Sequence, residues 1–226
     1  MKKFVIAIDG PAASGKSTTA RLVAQRLGYL HIDTGAMYRA VTLQVLRSGF
    51  DAADREAVEK LAARVSIRLE PGDGGNIVFL DDEDVTKAIR ARDVTALVSK
   101  VSSYPGVRSV MVREQRAAAS QGGVVLEGRD IGTVVLPDAD LKFFLVADEG
   151  ERARRRKREL DRTGVVVEEE RLLEDIRRRD DQDASRASSP LRKADDAIQV
   201  DTTSMTIEEQ VSAILDHVKV RSKQGL

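Results

Sequence analysis

Gly10-Pro11-Ala12-Ala13-Ser14-Gly15-Lys16-Ser17 is the stretch whose reading decides the fold. It fits the P-loop pattern of a glycine, four residues, Gly-Lys and then Ser or Thr, and its flanks fit as well. Phe4-Val5-Ile6-Ala7-Ile8 is a short apolar run with the character of a buried parallel strand, and Thr18 to Leu27 reads as a helix. Strand, glycine turn and helix together make a phosphate cradle. Gly10 and Gly15 let the backbone curl so that successive N–H groups face one anion at the positive end of a helix. Lys16 is placed to reach the β- and γ-phosphates, and the Ser17 hydroxyl to ligate Mg²⁺, with Thr18 the next hydroxyl along. The plainer reading is a glycine turn that happens to carry a lysine; eight matching positions with both flanks right weigh against it. The expectation is a nucleoside triphosphate held by residues 10–18.

Composition removes several other chemistries. The 226 residues suit one α/β domain with room for an insertion. Lys plus Arg and Asp plus Glu stand at 37 each, so no global basic field draws the chain to nucleic acid or acidic membranes. No cysteine is present, which excludes a disulfide framework, thiol chemistry and cysteine-ligated zinc. Only His31 and His217 occur, so a histidine-rich metal site is excluded, and each lone histidine is more readily packed or exposed than catalytic. The apolar run after Met1-Lys2-Lys3 stops at Asp9, too short for a secretory segment, and no later stretch spans a bilayer. A cytoplasmic protein without a membrane partner is expected.

Beyond the P-loop helix, Tyr29 to Asp33 reads as a strand, Met37 to about Ser48 as a helix closed by Gly49, and residues 54–63 as a short helix. The alternation then breaks. Ser66 to Glu70 and Ile77 to Leu80 flank Pro71-Gly72-Asp73-Gly74-Gly75-Asn76, a hairpin signal, and Val85 to Tyr104 is mixed. Residues of about 65 to 105 therefore read as an inserted subdomain. A helix from Val107 to Ser120 returns the chain to strands at 124–127, 141–146 and 197–200. Five parallel strands separated by helices predict a doubly wound α/β sheet with its ligands at the strand C-terminal ends. The last helix opens with a capping box, Thr206 and Glu209, and carries Ile207, Val211, Ile214, Leu215 and Val218 on one face.

Three polar clusters bear on what the triphosphate is used for. Asp33-Thr34-Gly35-Ala36-Met37-Tyr38-Arg39 begins where the second strand ends, and Glu127-Gly128-Arg129-Asp130-Ile131-Gly132-Thr133 where the third ends. Arg179, Asp183 and Arg186 are spaced to share one side of a helix. Arg39 and Arg129 at strand ends suit one phosphate between them. The bland alternatives are a surface ion pair in the Gly-Arg-Asp turn and a solvated Arg-Asp-Arg helix face; a neighbouring P-loop favours the functional reading. Residues 151–162 hold seven basic residues in twelve. Three readings stand for them: an exposed basic face, a nucleic-acid patch, or a lid whose Arg152, Arg155 and Arg156 close over a polyphosphate and exclude water. A GTPase that reads guanine with Asn-Lys-x-Asp is excluded, because the only asparagine, Asn76, precedes Ile77.

The P-loop, Asp-Thr-Gly-Ala-Met-Tyr-Arg, an insertion of about 40 residues, Gly-Arg-Asp-Ile-Gly-Thr and Arg-Arg-Asp-Asp-x-Asp-x-x-Arg, in this order, resemble the bacterial cytidylate kinase family from Phe4 to Val218. The resemblance implies a P-loop kinase fold: a core of residues 1–64, 106–148 and 190–226, a small α+β monophosphate-binding insertion at about 65–105, a helical lid at about 149–168, and a helix with ribose-side residues at about 168–189. It implies transfer from ATP, with Mg²⁺, to CMP or dCMP. Ser99 and Arg108 match the family's cytosine contacts together with Asp130, whose carboxylate suits the N4 amino group. Arg39 and Arg129 match contacts to the acceptor phosphate, with Asp33, Thr34, Gly35 and Tyr38 assigned to the same side. Arg179, Asp183 and Arg186 match the sugar and phosphate region, and Arg152, Arg155 and Arg156 the lid arginines that, with Lys16 and Arg129, act in catalysis. Some members end the P-loop Gly-Thr, so Ser17 or Thr18 is the Mg²⁺ hydroxyl. A kinase for UMP or AMP, and a nucleotide-dependent RNA-binding protein, are the rival readings. No nucleic-acid partner is expected, and a monomer is the default.

Overall fold

The computed structural model describes residues 3–72, 74–162, 164–185 and 189–224. In chain order the elements are β1 (Val5–Asp9), α1 (Lys16–Leu27), β2 (Leu30–Asp33), α2 (Thr34–Arg47) and α3 (Arg55–Ala62). Next come β3 (Ile67–Gly72), β4 (Gly75–Leu80), β5 (Glu83–Asp84), α4 (Arg92–Val101) and α5 (Pro105–Ala119). The chain closes with β6 (Val124–Gly128), β7 (Leu141–Val146), α6 (Glu149–Asp161), α7 (Glu169–Ala184), β8 (Ile198–Asp201) and α8 (Ile207–Gln224). Five strands form a parallel sheet in the order β2-β6-β1-β7-β8, as the sequence predicts.

A strand covered on both faces needs a run of successive apolar residues, and β1 has one at residues 5–8 and β6 at 124–126, each followed by an acid at the C-terminal end. Successive side chains then divide between two cores. Phe4, Ile6, Ile8 and Val125 pack on one face with Val23 of α1 and Val211 and Ile214 of α8. Ala7, Val124 and Leu126 pack on the other with Val41 of α2, Val58 of α3 and Met111 of α5. Burying one such isoleucine or valine contributes about 1.5–3 kcal/mol, so Ile6→Ala, which leaves a cavity between the sheet and α1, costs more than a surface change. Among the described residues no helix is long and apolar enough to cross a membrane.

Residues 67–84 leave this sheet and pair with one another in a second, antiparallel sheet of β3, β4 and β5. Val78 and Leu80 from it, with Val85, Ile89 and Val94, pack against Ala36, Ala40 and Leu43 of α2. Asn76 fastens it to the parallel sheet: its amide donates to the His31 carbonyl at 2.8 Å and its side-chain oxygen accepts from the Asp33 N–H at 3.0 Å. A smaller core of Ala153, Leu172 and Ile176 joins α6 to α7.

Element boundaries differ from the sequence reading where side chains or proline set them. Helix α2 starts at Thr34 rather than Met37, because Asp33 caps it by accepting from the Ala36 N–H at 3.0 Å. Helix α5 starts at Pro105, whose fixed φ and missing N–H suit the first turn. The hairpin strands run on to Gly72 and from Gly75, which shortens the turn. The mixed segment after Val85 holds a 3₁₀ turn at Ala88–Arg90 and then α4. A π-helical turn at Ile131–Val135 had no counterpart in the pattern. The Thr206–Glu209 capping box forms, with Glu209 Oε2 accepting from the Thr206 N–H at 2.7 Å.

Candidate active site

Register levels the C-terminal ends of three adjacent strands. Asp9 pairs with Gly128, and Asp33 with Glu127. The residues that follow these ends are the P-loop, the start of α2 and the Gly-Arg-Asp turn, so all three leave the sheet side by side.

The P-loop glycines are required by its geometry. Gly10 has φ +155°, and a Cβ there would lie 2.3 Å from the Leu145 carbonyl oxygen. Gly15 has φ +93°, with Gln210 Oε1 at 2.8 Å from the Cβ position. Ala13 takes a left-handed φ of 58°, unfavourable for a residue with a side chain. The hydroxyl of Ser14 is buried with no partner among the described residues, an orphan donor of the sort an anion satisfies. Burial, reinforced by the nearby Arg129, lowers the Lys16 amine to about 8, and its Nζ donates to the Pro11 carbonyl at 3.4 Å. An arriving phosphate raises such a lysine again.

Beside Lys16 lies an acidic pair. Glu127, 2% exposed, accepts from the Ser17 hydroxyl at 2.5 Å and lies 3.2 Å from His31 Nε2. Burial works against its charge, but the His31 hydrogen bond, the Lys16 ammonium and the Ser17 hydroxyl hold it below the usual carboxylate range. Burial and then the Glu127 charge push the Asp33 carboxyl up. The Thr18 hydroxyl makes no hydrogen bond among the described residues, whereas that of Ser17 donates to Glu127. Asp9 anchors the turn after Arg129-Asp130, accepting from the Ile131 and Gly132 N–H groups at 2.8 Å each. Burial outweighs those two bonds and raises its carboxyl to about 6.

The arginines divide into two sets. Arg129 donates from Nε to Asp183 at 2.7 Å and from Nη1 to the Gly10 carbonyl at 2.8 Å. Arg152 pairs with Asp180 at 2.6 Å and donates to the Ala12 carbonyl at 3.3 Å. Arg155 donates to the Ser14 carbonyl at 3.3 Å and to Thr202 Oγ1 at 3.1 Å. All three are thus tied to P-loop carbonyls. Arg39 and Arg179 are different. Arg39 donates to Thr95 Oγ1 at 2.9 Å, and neither makes an ion pair among the described residues. Burial, then Arg179 and further Arg90 and Arg156, lowers the Arg39 guanidinium; burial, then Arg156 and Arg129, lowers that of Arg179. Arg156 itself pairs with Glu159 at 2.7 Å. The sequence treated Arg39 and Arg129 as equivalent phosphate contacts; Arg129 is already engaged on both sides and Arg39 is not.

Arg108 and Asp130 form a buried ion pair, each 5% exposed, with the guanidinium 5.8 Å from the Tyr38 ring centroid. Ser99 lies on α4; its carbonyl accepts from Ser102, and no side-chain bond joins it to that pair among the described residues. Thr34 donates to the Glu127 carbonyl at 2.7 Å, holding α2 to β6, and Gly35, exposed, follows it in an otherwise buried first turn. Arg186 lies outside the described residues. The sequence singled out neither the acid role of Glu127 nor Asp9, Asn76, Asp180 and Thr202. Glu127 and Asp9 had a signal, since both are acids at predicted strand ends; the others had none.

A glycine loop with a half-buried lysine at the end of a parallel strand, faced by arginines that await an anion, defines a phosphotransferase of the P-loop kinase class. The cytidylate kinase family model matches residues 6–220, and the chain belongs to that family. It is 51% identical over 220 residues to the cytidylate kinase of Geobacillus thermodenitrificans (strain NG80-2), covering 97% of this chain and 98% of that protein. It is 53% identical over 224 residues to the cytidylate kinase of Chloroherpeton thalassium (strain ATCC 35110 / GB-78), covering 95% and 93%. The solved structure of an uncharacterized protein from Eubacterium ventriosum ATCC 27560 is similar at TM-score 0.52 and 14% identity, over 97% of this chain and 99% of that one, a likeness of fold alone.

Proposed function

We infer that this chain is a nucleoside monophosphate kinase that transfers a phosphoryl group from ATP to CMP or dCMP, giving ADP and CDP or dCDP. Family membership carries the substrate; the observation that carries the site is the pair of arginines, Arg39 and Arg179, that have no ion pair among the described residues. Arg39 and Arg179 hold charge at the cost of burial and of repulsion from neighbouring arginines, and an acceptor phosphate relieves the repulsion.

Residues 10–18 hold the ATP polyphosphate through backbone N–H groups and Lys16. The residues present fit Mg²⁺: the Ser17 hydroxyl, with Glu127 and Asp33 beside it, offers hard oxygen donors. Among the described residues no group of three or more acids or histidines forms a metal cage, as suits a cation that arrives with the polyphosphate. The Ser17 hydroxyl would hold Mg²⁺, which would supply neutralisation of the polyphosphate charge. The acceptor phosphate oxygen is already a nucleophile near neutral pH, so no enzyme base is required. Arg39, Arg179 and Arg129 orient it in line, while Lys16, Arg152 and Arg156 offset charge on the migrating group.

At the base end, Asp130 sits in an ion pair with Arg108, and its carboxylate oxygens offer acceptors. An acceptor suits the cytosine N4 amino group and opposes the uracil C4 carbonyl, while Ser99 and Arg108 supply donors. The basic run of α6 supports the lid reading over a nucleic-acid patch, because Glu151 takes Arg154, Arg155 and Arg158, and Arg152 and Arg155 face the P-loop. A cytoplasmic monomer acting on small nucleotides completes the reading.

The test is ADP release from ATP and Mg²⁺ with CMP, dCMP, UMP and AMP offered separately. Selective turnover with CMP and dCMP is expected; activity only with another acceptor overturns the base reading and keeps the kinase. Asp130→Asn, which turns one acceptor oxygen into a donor, should lower kcat/KM for CMP roughly 10²-fold with the KM for ATP little changed. Equal losses for both nucleotides would assign Asp130 a structural role.

A further inference from the structure

Helix α7 carries two carboxylates one turn apart, and each holds an arginine that also reaches a P-loop carbonyl. Asp183 takes Arg129, which donates to Gly10. Asp180 takes Arg152, and this second strut has no assigned purpose. Its guanidinium is held on three sides: Nη2 to Asp180 Oδ2 at 2.6 Å, Nη1 to the Ala12 carbonyl at 3.3 Å and Nε to the Ala147 carbonyl at 3.1 Å. Arg152 is 3% exposed, so Asp180 is the carboxylate that neutralises a buried cation. The other oxygen, Asp180 Oδ1, is buried with no partner among the described residues. Among the described residues Arg152 is thus the one partner of this acid.

We propose that Asp180 is a positioning residue for phosphoryl transfer, acting through Arg152 on the donor loop. The peptide between Ala12 and Ala13 is planar and trans, so its C=O and N–H point in opposite directions. Holding the Ala12 oxygen toward Arg152 aims the Ala13 N–H the other way. Ala13 is also the loop residue with an unfavourable φ of 58°, a conformation that persists only where its surroundings over-determine it. The strut from α7 supplies that constraint at the peptide where the loop is strained. It also fixes the Arg152 guanidinium itself, leaving its remaining N–H groups in one place. Because α7 also carries Arg179, one rigid helix sets the donor loop and an acceptor cation together. The inference rests on the functional reading above.

The experiment compares Asp180→Asn, Arg152→Met and the double variant with the wild type. Two readouts are taken: ADP affinity by calorimetry, which needs no acceptor, and steady-state transfer to CMP. Asp180→Asn is expected to lower kcat about tenfold or more with the KM for CMP within about threefold, the signature of misplacement rather than lost acceptor binding. ADP affinity should fall about fivefold. The double variant should be no worse than Arg152→Met alone, since both changes break one strut. Losses that multiply in the double variant, or ADP affinity and kcat within twofold of the wild type, overturn the proposal. Should Asp180→Asn fail to fold, Asp180→Glu keeps the charge and displaces the guanidinium; reduced kcat at a wild-type melting temperature then supports it, and wild-type kcat overturns it. A wild type that phosphorylates no CMP sinks the functional reading, while the ADP measurement still decides Asp180.

Discussion

Two groups of arginines face the same cleft, and they differ in what already holds them. In one, Arg129 and Arg152 each bridge a carboxylate of α7 and a P-loop carbonyl, and Arg155 bridges Ser14 and Thr202. In the other, burial and the Arg179 charge depress the basicity of Arg39, burial with Arg156 and Arg129 depresses that of Arg179, and neither has an ion pair among the described residues. A buried cation with its counter-charge built in contributes to shape; one without it contributes to binding, because the ligand supplies the missing charge. The same residue type therefore does two jobs, and the partner distinguishes them.

That contrast breaks or sharpens under substitution. The largest effect belongs to the lysine between the groups: Lys16→Met should reduce transfer to CMP by roughly 10²–10³-fold, with the melting temperature near that of the wild type. Substantial residual turnover would move the phosphoryl site away from the P-loop. Next, Arg39→Met should lower kcat/KM for CMP by about 10-fold to 10²-fold, the range of a charge-assisted bond, while the fold melts no earlier than the wild type and higher at low salt, since repulsion is relieved. Arg129→Met should do the reverse to stability, removing about 2–3 kcal/mol because Asp183 loses that partner, visible as melting roughly 5–10 °C lower. If Arg39 proves the stabilising residue and Arg129 the neutral one, the division drawn here is wrong.

The smallest effect is a fraction of a proton. Lys16 titrates at about 8 in the free protein, so near pH 8 part of the population carries a neutral amine. A bound polyphosphate favours the charged form and raises that pKa. ADP binding at pH 8 to 9 should then take up less than one proton, measured by calorimetry in buffers of different ionisation heat. ADP affinity should weaken as pH rises past 8, and Lys16→Met should abolish the uptake. Proton release on binding would reverse the sign assigned to Lys16.

Much of this was legible before any coordinate. The order of apolar runs and the P-loop pattern predict a five-stranded parallel sheet, because burial on both faces leaves a local signature in each strand. Lys16, Ser17, Arg39, Arg129 and Asp130 stand in contiguous motifs at predicted strand ends, where ligands of such sheets gather. Boundaries were less legible: Asp33 capping α2 and Pro105 opening α5 moved two helix starts, since a cap is decided by one side chain rather than by a periodicity.

What the sequence determined by itself is the inventory and its rough address: which residues carry cations, hydroxyls and acids, and at which end of which strand. Only the tertiary structure decided the partners. Asp180 meets Arg152 and Ser17 meets Glu127 because β-register and helix packing bring together residues 28 and 110 positions apart along the chain. Charge, burial and hydrogen bonding depend on distance in space, and the chain's linear order does not encode that distance until the sheet has closed over both cores.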